Sequence, residues 1–257
     1  MKTVLVTGAT GHLGGLLVKE LCALPDIKVR IFVLPSERLG GLDGSEVEIV
    51  CGDVRDYSAV SRAAKGCDTV FHLASIVAAS AAEAKIIDAV NVGGTRNVAE
   101  ACLLQGVRRL VYTSSSEVFK PVSETITEES EFDDGTKFAY QRSKIAATRI
   151  VRSYAERGLD TVIVYPTGII GPHDTRGSLF GRLVRYVAKP WRKSMPLMRC
   201  GYDFVDVRDV VKGEMLAAEK GRRGEVYILS GEQRHLVQMM LTVKQALGLP
   251  VKVLTIP

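Results

Sequence analysis

Short apolar runs alternate with amphipathic stretches along the first two thirds of the chain. Residues 2–6 are dense in Val and Leu without strict alternation, the pattern of a strand buried on both faces. Leu13, Leu17 and Leu21 then recur four apart and place one apolar stripe on a helix over 13–24. Further buried strands are predicted over 28–34, 46–50, 69–73, 108–112 and 161–165, and helices over 54–64, 84–104 and 137–157. Gly66, Gly106 and Gly158 stand where those helices stop. Strands alternating with helices predict an α/β fold, a doubly wound, mostly parallel sheet joined by right-handed crossovers.

The pattern breaks after Pro166, where Gly168, Gly171, Pro172 and Gly177 interrupt the backbone. Helices over 180–188, 206–219 and 236–247 and strands over 202–205 and 225–229 follow. No linker or repeat separates the two parts. Residues 1–165 are therefore expected to form the main layered domain, and 166–257 a small region interleaved with its last elements.

Composition narrows the class. Of 257 residues, 46% are hydrophobic and 25% charged, which fits a globular domain and excludes collagenous, coiled-coil and disordered chains. The net charge of +5 permits an anionic small-molecule partner without demanding nucleic acid. No apolar run is long enough to span a bilayer, and the N-terminus lacks a secretory pattern. Cys22, Cys51, Cys67, Cys102 and Cys200 form no CxxC pair, which predicts a reducing, cytoplasmic setting. His12, His72, His173 and His235 lack metal-ligand spacing, so no metal is expected.

Gly8, Thr10, Gly11, His12, Leu13 and Gly14 form a turn between the first strand and the first helix. Glycines at 8, 11 and 14 allow a tight turn, a backbone bare enough to meet a pyrophosphate, and close helix packing. The amides and positive dipole of the helix would face the phosphates. This makes the main domain a Rossmann-type dinucleotide-binding domain and places the substrate side in 166–257. No Gly-Lys-Ser/Thr follows, which excludes a nucleotide-hydrolase P-loop. The second strand ends in Val33-Leu34-Pro35-Ser36-Glu37-Arg38, with no acid at the expected tip. Arg38, with Arg30, lends NAD(P) binding a lean toward NADP. Arg38 as a solvated loop residue, or Glu37 turned inward, would remove that lean.

Tyr140 and Lys144 lie one helical turn apart on one face. An ammonium beside a phenol lowers the phenol pKa and equips it for proton exchange near neutral pH. Thr113-Ser114-Ser115-Ser116 lies just past a strand end, where ligands bind in such sheets. Ser115 would orient a substrate oxygen there, unless these hydroxyls only cap the loop.

Together with Gly52-Asp53-Val54, His72-Leu73-Ala74, Asn91-Val92-Gly93-Gly94-Thr95 and Tyr165-Pro166-Thr167, these motifs resemble the extended short-chain dehydrogenase/reductase family. The resemblance covers nearly the whole chain and is greatest to dihydroflavonol-4-reductase-like and hopanoid-associated epimerase-like bacterial proteins. It implies Tyr140 as catalytic acid or base, Lys144 as ribose ligand and tuner of Tyr140, and Ser115 as the catalytic hydroxyl. It implies Asp53 and Val54 at the adenine, Leu73 and Ala74 along the dinucleotide, Asn91 as a brace of the strand ends, and Pro166 and Thr167 at the nicotinamide. Read from the residues alone, Asp53 could instead cap a helix starting near Val54, and Asn91 could be a surface residue.

The resemblance also implies a homodimer through helices 84–104 and 137–157, and a C-terminal region shorter than usual. Asp206 stands where the family often has His, and Leu34 where the reductase-like branch often has Arg. The implied function is NAD(P)-dependent hydride transfer at a carbonyl or secondary alcohol carbon. The alternatives are a nucleotide-sugar epimerase or dehydratase using tightly bound NAD, and a non-catalytic NAD(P)-binding regulator.

The basic run over 182–199 carries Arg182, Arg185, Lys189, Arg192, Lys193 and Arg199 without an acid. It suits an anionic substrate such as a sugar nucleotide, or a solvated insertion. Trp191 is expected to stack on a substrate or anchor the loop. The acidic stretch 124–134 is expected to border the cleft with opposite charge.

Overall fold

The first apolar run forms β1 (Lys2–Thr7), and the glycine turn leads into α1 (His12–Cys22). Next come β2 (Ile27–Val33), β3 (Val47–Cys51), α2 (Tyr57–Ala64) and β4 (Thr69–His72). The helix α3 (Ala84–Ile87) passes through a π-helical segment, Asp88–Gly94, into α4 (Thr95–Leu104). Then follow β5 (Arg109–Thr113), α5 (Ala139–Glu156), β6 (Thr161–Pro166), β7 (Gly168–Ile170), α6 (Leu179–Val187) and β8 (Ser194–Met198). The chain ends with β9 (Gly201–Asp206), α7 (Val207–Lys220), β10 (Val226–Leu229), β11 (Glu232–His235), α8 (Leu236–Ala246) and β12 (Lys252–Ile256). This computed structural model describes residues 1–77, 84–121, 125–175, 177–191, 194–198, 201–250 and 252–256.

Seven parallel strands run in the order β10-β6-β5-β4-β1-β2-β3. The chain winds outward from β1 to β3, then crosses back to β4 and winds the other way. That reversal opens a crevice beyond the carboxyl ends of β1 and β4, where ligands bind in doubly wound sheets. One face packs on α2, α4 and α5, the other on α1 and α7. Each Val or Leu buried there contributes about 1.5–3 kcal/mol. The later residues split between two jobs. The helix α7 and strand β10 complete the main sheet, while β11-β9-β7 and β12-β8 form small sheets beside it.

Two helices depart from the pattern-based expectation by more than a residue or two at an end. The helix expected from 54 begins at Tyr57, because Asp56 caps it by accepting from the Ser58 and Ala59 amides. Asp53 is therefore not its cap. The single helix expected over 84–104 widens into π-geometry over Asp88–Gly94. A side chain on Gly94 would press on Val54, 2.7 Å from its Cγ2. Among the described residues no helix is long and apolar enough to cross a membrane.

Candidate active site

The cofactor side of the crevice is built from close backbone approaches. Gly8 sits at φ +72°, and a Cβ there would lie 2.7 Å from the Ala74 nitrogen. A Cβ on Gly14 would lie 2.2 Å from the Gly8 carbonyl oxygen. The turn is closed by the Gly11 amide donating to Gly8 O. The start of α1 has no acid in its first turn and, unlike α2, α6 and α7, no side-chain cap. Its amides thus remain for an anion. Thr10 and Leu13 are buried in the turn. His12 reaches across it, its Nε2 2.9 Å from Pro172 O, and ties the turn to the later region.

Behind the turn, polar groups hold the strand ends together. His72 is fully buried, with Nδ1 2.7 Å from the Thr7 hydroxyl and Nε2 2.9 Å from the Thr95 hydroxyl. Burial, with the Lys144 charge adding to it, pushes its pKa down to about 3, so the imidazole is neutral. Asn91 is buried, not a surface residue. It accepts from Ile76 N at 2.8 Å and donates to Ile76 O at 3.0 Å and to the Ser143 hydroxyl at 2.9 Å. Ser143 donates in turn to Tyr140 O. Asn91 therefore braces the segment after β4 and the first turn of α5.

The tip of β2 does hold an acid. Glu37 accepts from Leu34 N at 3.1 Å and from the Thr10 hydroxyl at 2.6 Å, which brings its carboxylate inward against the glycine turn. Arg38 is exposed. The inward Glu37 removes the reasoning that favoured NADP. Asp53 binds Arg55 with both oxygens, and that partner holds its carboxyl below the usual range. Val54 is buried, and Leu73 and Ala74 pass beside Gly8. At the far end Thr167 donates its amide to Leu229 O. Among the described residues, the buried hydroxyls of Thr167 and Ser75 have no partner. Buried hydroxyls without partners are uncommon and mark places where a ligand's polar groups fit.

The cleft beyond Tyr140 has a volume of about 910 Å³. Tyr140 is half-buried, with its hydroxyl on the desolvated side. Burial first, then the Glu117 charge, pushes its phenol up, and a hydrogen bond with Ser115 pulls it back. Ser115 also caps the short turn at Ser116–Val118, accepting from Glu117 N at 3.2 Å. Ser114 is buried against Thr148, 2.8 Å away.

Lys144 is buried, donates to Thr113 O at 2.8 Å and stands 5.1 Å over the Tyr112 ring. Its burial pushes its pKa down to about 7, with the Glu214 charge opposing. In this arrangement the ammonium is directed at Thr113 and Tyr112, and the phenol is raised rather than lowered.

The rest of the cleft comes from residues the motifs did not single out. Glu117 accepts from the Tyr202 hydroxyl at 2.5 Å, and Gln141 donates to Glu117 O at 2.9 Å. Phe180, Tyr202 and Phe204 cluster edge to face or tilted, with ring centres 4.9–5.5 Å apart. Val77, Phe138 and Leu179 line the mouth and are exposed, Phe138 by 73%. Lys137, Arg142 and Arg182 stand among them. Of the expected basic run, Arg182 reaches the cleft, while Arg185 donates to Asp174 O. Lys189 lies over the exposed Trp191 ring at 5.6 Å, so Trp191 neither stacks in the cleft nor anchors a loop in the core. Arg199 lies outside the described residues, as do the Arg192 and Lys193 side chains.

The acidic stretch does not border the cleft. Glu131 pairs with Lys120, Asp134 pairs with Arg149, and Glu128 accepts from Ile228 N on the edge strand β10. Glu124 is outside the described residues. Asp206 caps α7 by accepting from Arg208 N and pairs with the Arg208 guanidinium. A structural cap therefore accounts for the acid at that position.

Comparison with known proteins agrees with this architecture. The profile of the NAD dependent epimerase/dehydratase family matches residues 4–230. Sterol demethylase protein B of Methylococcus capsulatus is 38% identical, over 99% of this chain and 77% of its own length. Cinnamoyl-CoA reductase 1 of Oryza sativa is 31% identical, over 94% and 75%. A solved structure of a DesIV double mutant, a dTDP-glucose 4,6-dehydratase from Streptomyces venezuelae with NAD and DAU bound, superposes with a TM-score of 0.87. It is 25% identical and is matched over 99% of this chain and 84% of its own. The winding of the sheet, the glycine cradle and these matches place the chain in the NAD-dependent epimerase/dehydratase family of extended short-chain dehydrogenases/reductases.

Proposed function

We propose that this protein is an NAD-dependent oxidoreductase acting at a secondary alcohol or ketone carbon of a bulky, largely apolar substrate. The observation that carries this reading is Tyr140. Its side chain, with Ser115 bearing on its phenol, lines a cleft whose mouth is formed by Val77, Phe138 and Leu179. A nicotinamide dinucleotide, when bound, supplies or accepts the hydride.

The chain's own residues do the rest. The bare turn from Gly8 to Gly14 and the uncapped start of α1 hold the pyrophosphate. Glu37 accepts from the adenosine ribose hydroxyls, which favours NAD over NADP. Val54 borders the adenine, with Asp53 and Arg55 beside it. Lys144 binds the second ribose, and the Thr167 hydroxyl meets the carboxamide. Ser115 holds the substrate oxygen while Tyr140 gives or takes its proton. The raised Tyr140 phenol is protonated at neutral pH, ready to donate in the reducing direction. Loss of the proton in the oxidising direction requires Lys144 to turn its charge toward the phenol.

One curated relative supports the apolar substrate by the name it carries, a sterol enzyme. The cations Lys137, Arg142 and Arg182 at the mouth favour a second reading, a nucleotide-sugar substrate such as that of the dTDP-glucose dehydratase neighbour.

A substrate panel separates the two. Cyclic apolar alcohols and dTDP- or UDP-glucose are each incubated with the protein and NAD, and products are followed by mass spectrometry. Oxidation of the apolar alcohols is expected, with kcat lowered about 10²–10⁴-fold in Tyr140→Phe and dinucleotide binding retained. Turnover of the sugar nucleotides alone would move the assignment to the second reading. Undiminished turnover in Tyr140→Phe would remove Tyr140 as the acid–base.

A further inference from the structure

The buried stripe of α7 runs Val207, Val210, Val211, Glu214, Ala217. Four of these are the apolar residues that a helix packed on a sheet needs. The fourth in order is a glutamate with no exposure at all. Its Oε1 accepts from the Thr113 hydroxyl at 2.6 Å, and its Oε2 is buried with no partner among the described residues. Acids this deep are rare unless paired. A Leu or Met would fill the same space without an unsatisfied oxygen, so packing does not explain the acid.

Thr113 explains where it acts. Its side chain meets Glu214, and its carbonyl oxygen accepts from Lys144 Nζ at 2.8 Å. One residue at the end of β5 thus stands between a carboxyl on α7 and an ammonium on α5. The two helices pack on opposite faces of the sheet.

We propose that Glu214 is a positioning residue that keeps the ammonium charge on Lys144, acting from the opposite face of the sheet at Thr113. The proposal rests on the reading of Lys144 as cofactor ligand and partner of Tyr140.

Electrostatics agree with the geometry. Burial pushes Lys144 down and Glu214 up, each to about 7, and the charge of each opposes the shift of the other. The groups around the pair do not compete. From β4, His72 is neutral; from β5, Tyr112 has its phenol raised by burial; from β6, Tyr165 is likewise raised; on α5, Tyr140 is raised. On α7 itself, Asp209 pairs with Lys212, both largely exposed. Among the described residues of α1, β6, β7, β9 and β10, no charged side chain bears on Glu214; Lys144 does. Removal of the carboxylate leaves Lys144 with desolvation alone, which favours the neutral amine. A neutral amine neither stabilises a Tyr140 phenolate nor binds ribose hydroxyls as strongly.

The test needs neither substrate nor cofactor. Protein carrying ¹³C-labelled lysine is titrated by NMR, with the Lys144 signal assigned by its loss in Lys144→Met. Glu214→Gln keeps the size and the acceptor for Thr113 but removes the charge. Its Lys144 midpoint is expected to fall by about one pH unit or more, and Glu214→Asp to return it toward the wild-type value. If Glu214→Gln does not fold, Glu214→Met is expected to give the same downward shift. An unchanged midpoint in the folded charge-removing variant would overturn the proposal, because a merely structural role leaves the lysine untouched.

NADH fluorescence titrations of the same proteins form the second readout. Near-equal affinity at about pH 6, and weaker binding by Glu214→Gln at about pH 8, are expected from the earlier loss of charge. Equal pH dependence would count against the proposal. Wild-type protein that is folded yet binds no nicotinamide dinucleotide would sink the proposed function, while the NMR midpoints would still decide the role of Glu214.

Discussion

The two walls of the crevice are built in different ways. The cofactor wall is backbone and buried bracing: Gly8 and Gly14 in contact with main-chain atoms, His72 between Thr7 and Thr95, and Asn91 holding both the segment after β4 and α5. The substrate wall is side chains from distant segments. Glu117 meets Tyr202 across 85 residues, and Phe138, Leu179 and Arg182 face the opening. The first wall tolerates no added atoms, so its form is coupled to the fold. The second can change without the fold noticing, which is how one scaffold serves several substrates.

The sharpest way to break that comparison is one substitution on each wall. Gly14→Val places carbon where only 2.2 Å separates Cβ from the Gly8 oxygen. It is expected to cost more than about 4 kcal/mol and to abolish NADH binding, seen by denaturant melts and fluorescence titration. Phe138→Ala, on the exposed side chain of the other wall, is expected to leave both unchanged and to raise KM. Equal damage from the two would mean the walls are not separable.

A comparable effect, read in pH rather than in sequence, belongs to His72. Its pKa lies at about 3 in the folded protein against about 6.5 unfolded. The stability this gives is present above about pH 6.5 and lost as pH falls toward 3, roughly 5 kcal/mol in all. Denaturant midpoints measured across that range are expected to fall in the wild type and to fall less in His72→Gln. Parallel slopes would show that the imidazole is not held neutral.

The smallest effect is at Glu37. Glu37→Gln keeps the size but only one of the two oxygens that accept from Leu34 N and the Thr10 hydroxyl, and it removes the charge at the proposed adenosine-ribose site. The ratio of NADPH to NADH affinity is expected to rise about tenfold, or about 1.4 kcal/mol. No change in the ratio would place Glu37 outside the cofactor site.

The same contrast accounts for what the sequence discloses. The order of strands and helices up to Pro166, the turn at Gly8 to Gly14 and the Tyr140/Lys144 spacing are local patterns with fixed periods, and a single chain displays them. Boundaries set by one side chain are harder to see. Asp56 rather than Asp53 caps α2, and Gly94 closes the π-segment where a side chain would press on Val54. The strands β7 and β11 are three or four residues long and carry too little pattern to register. Glu37 turns inward through a bond to Thr10, 27 residues away, and spacing along the strand does not encode that. Glu117 and Tyr202 stand 85 residues apart, and their pairing depends on how the small sheet docks. Glu214 leaves a trace in sequence after all, as an acid at the fourth position of an apolar helical stripe.

Saturable binding of a nicotinamide dinucleotide is the claim on which the rest stands. Purified wild-type protein is titrated with NADH and NADPH while nicotinamide fluorescence is followed. The account predicts saturation by both, with NADH the tighter. Folded protein that saturates with neither would contradict the cofactor wall as read here, and with it the roles given to Tyr140 and Lys144.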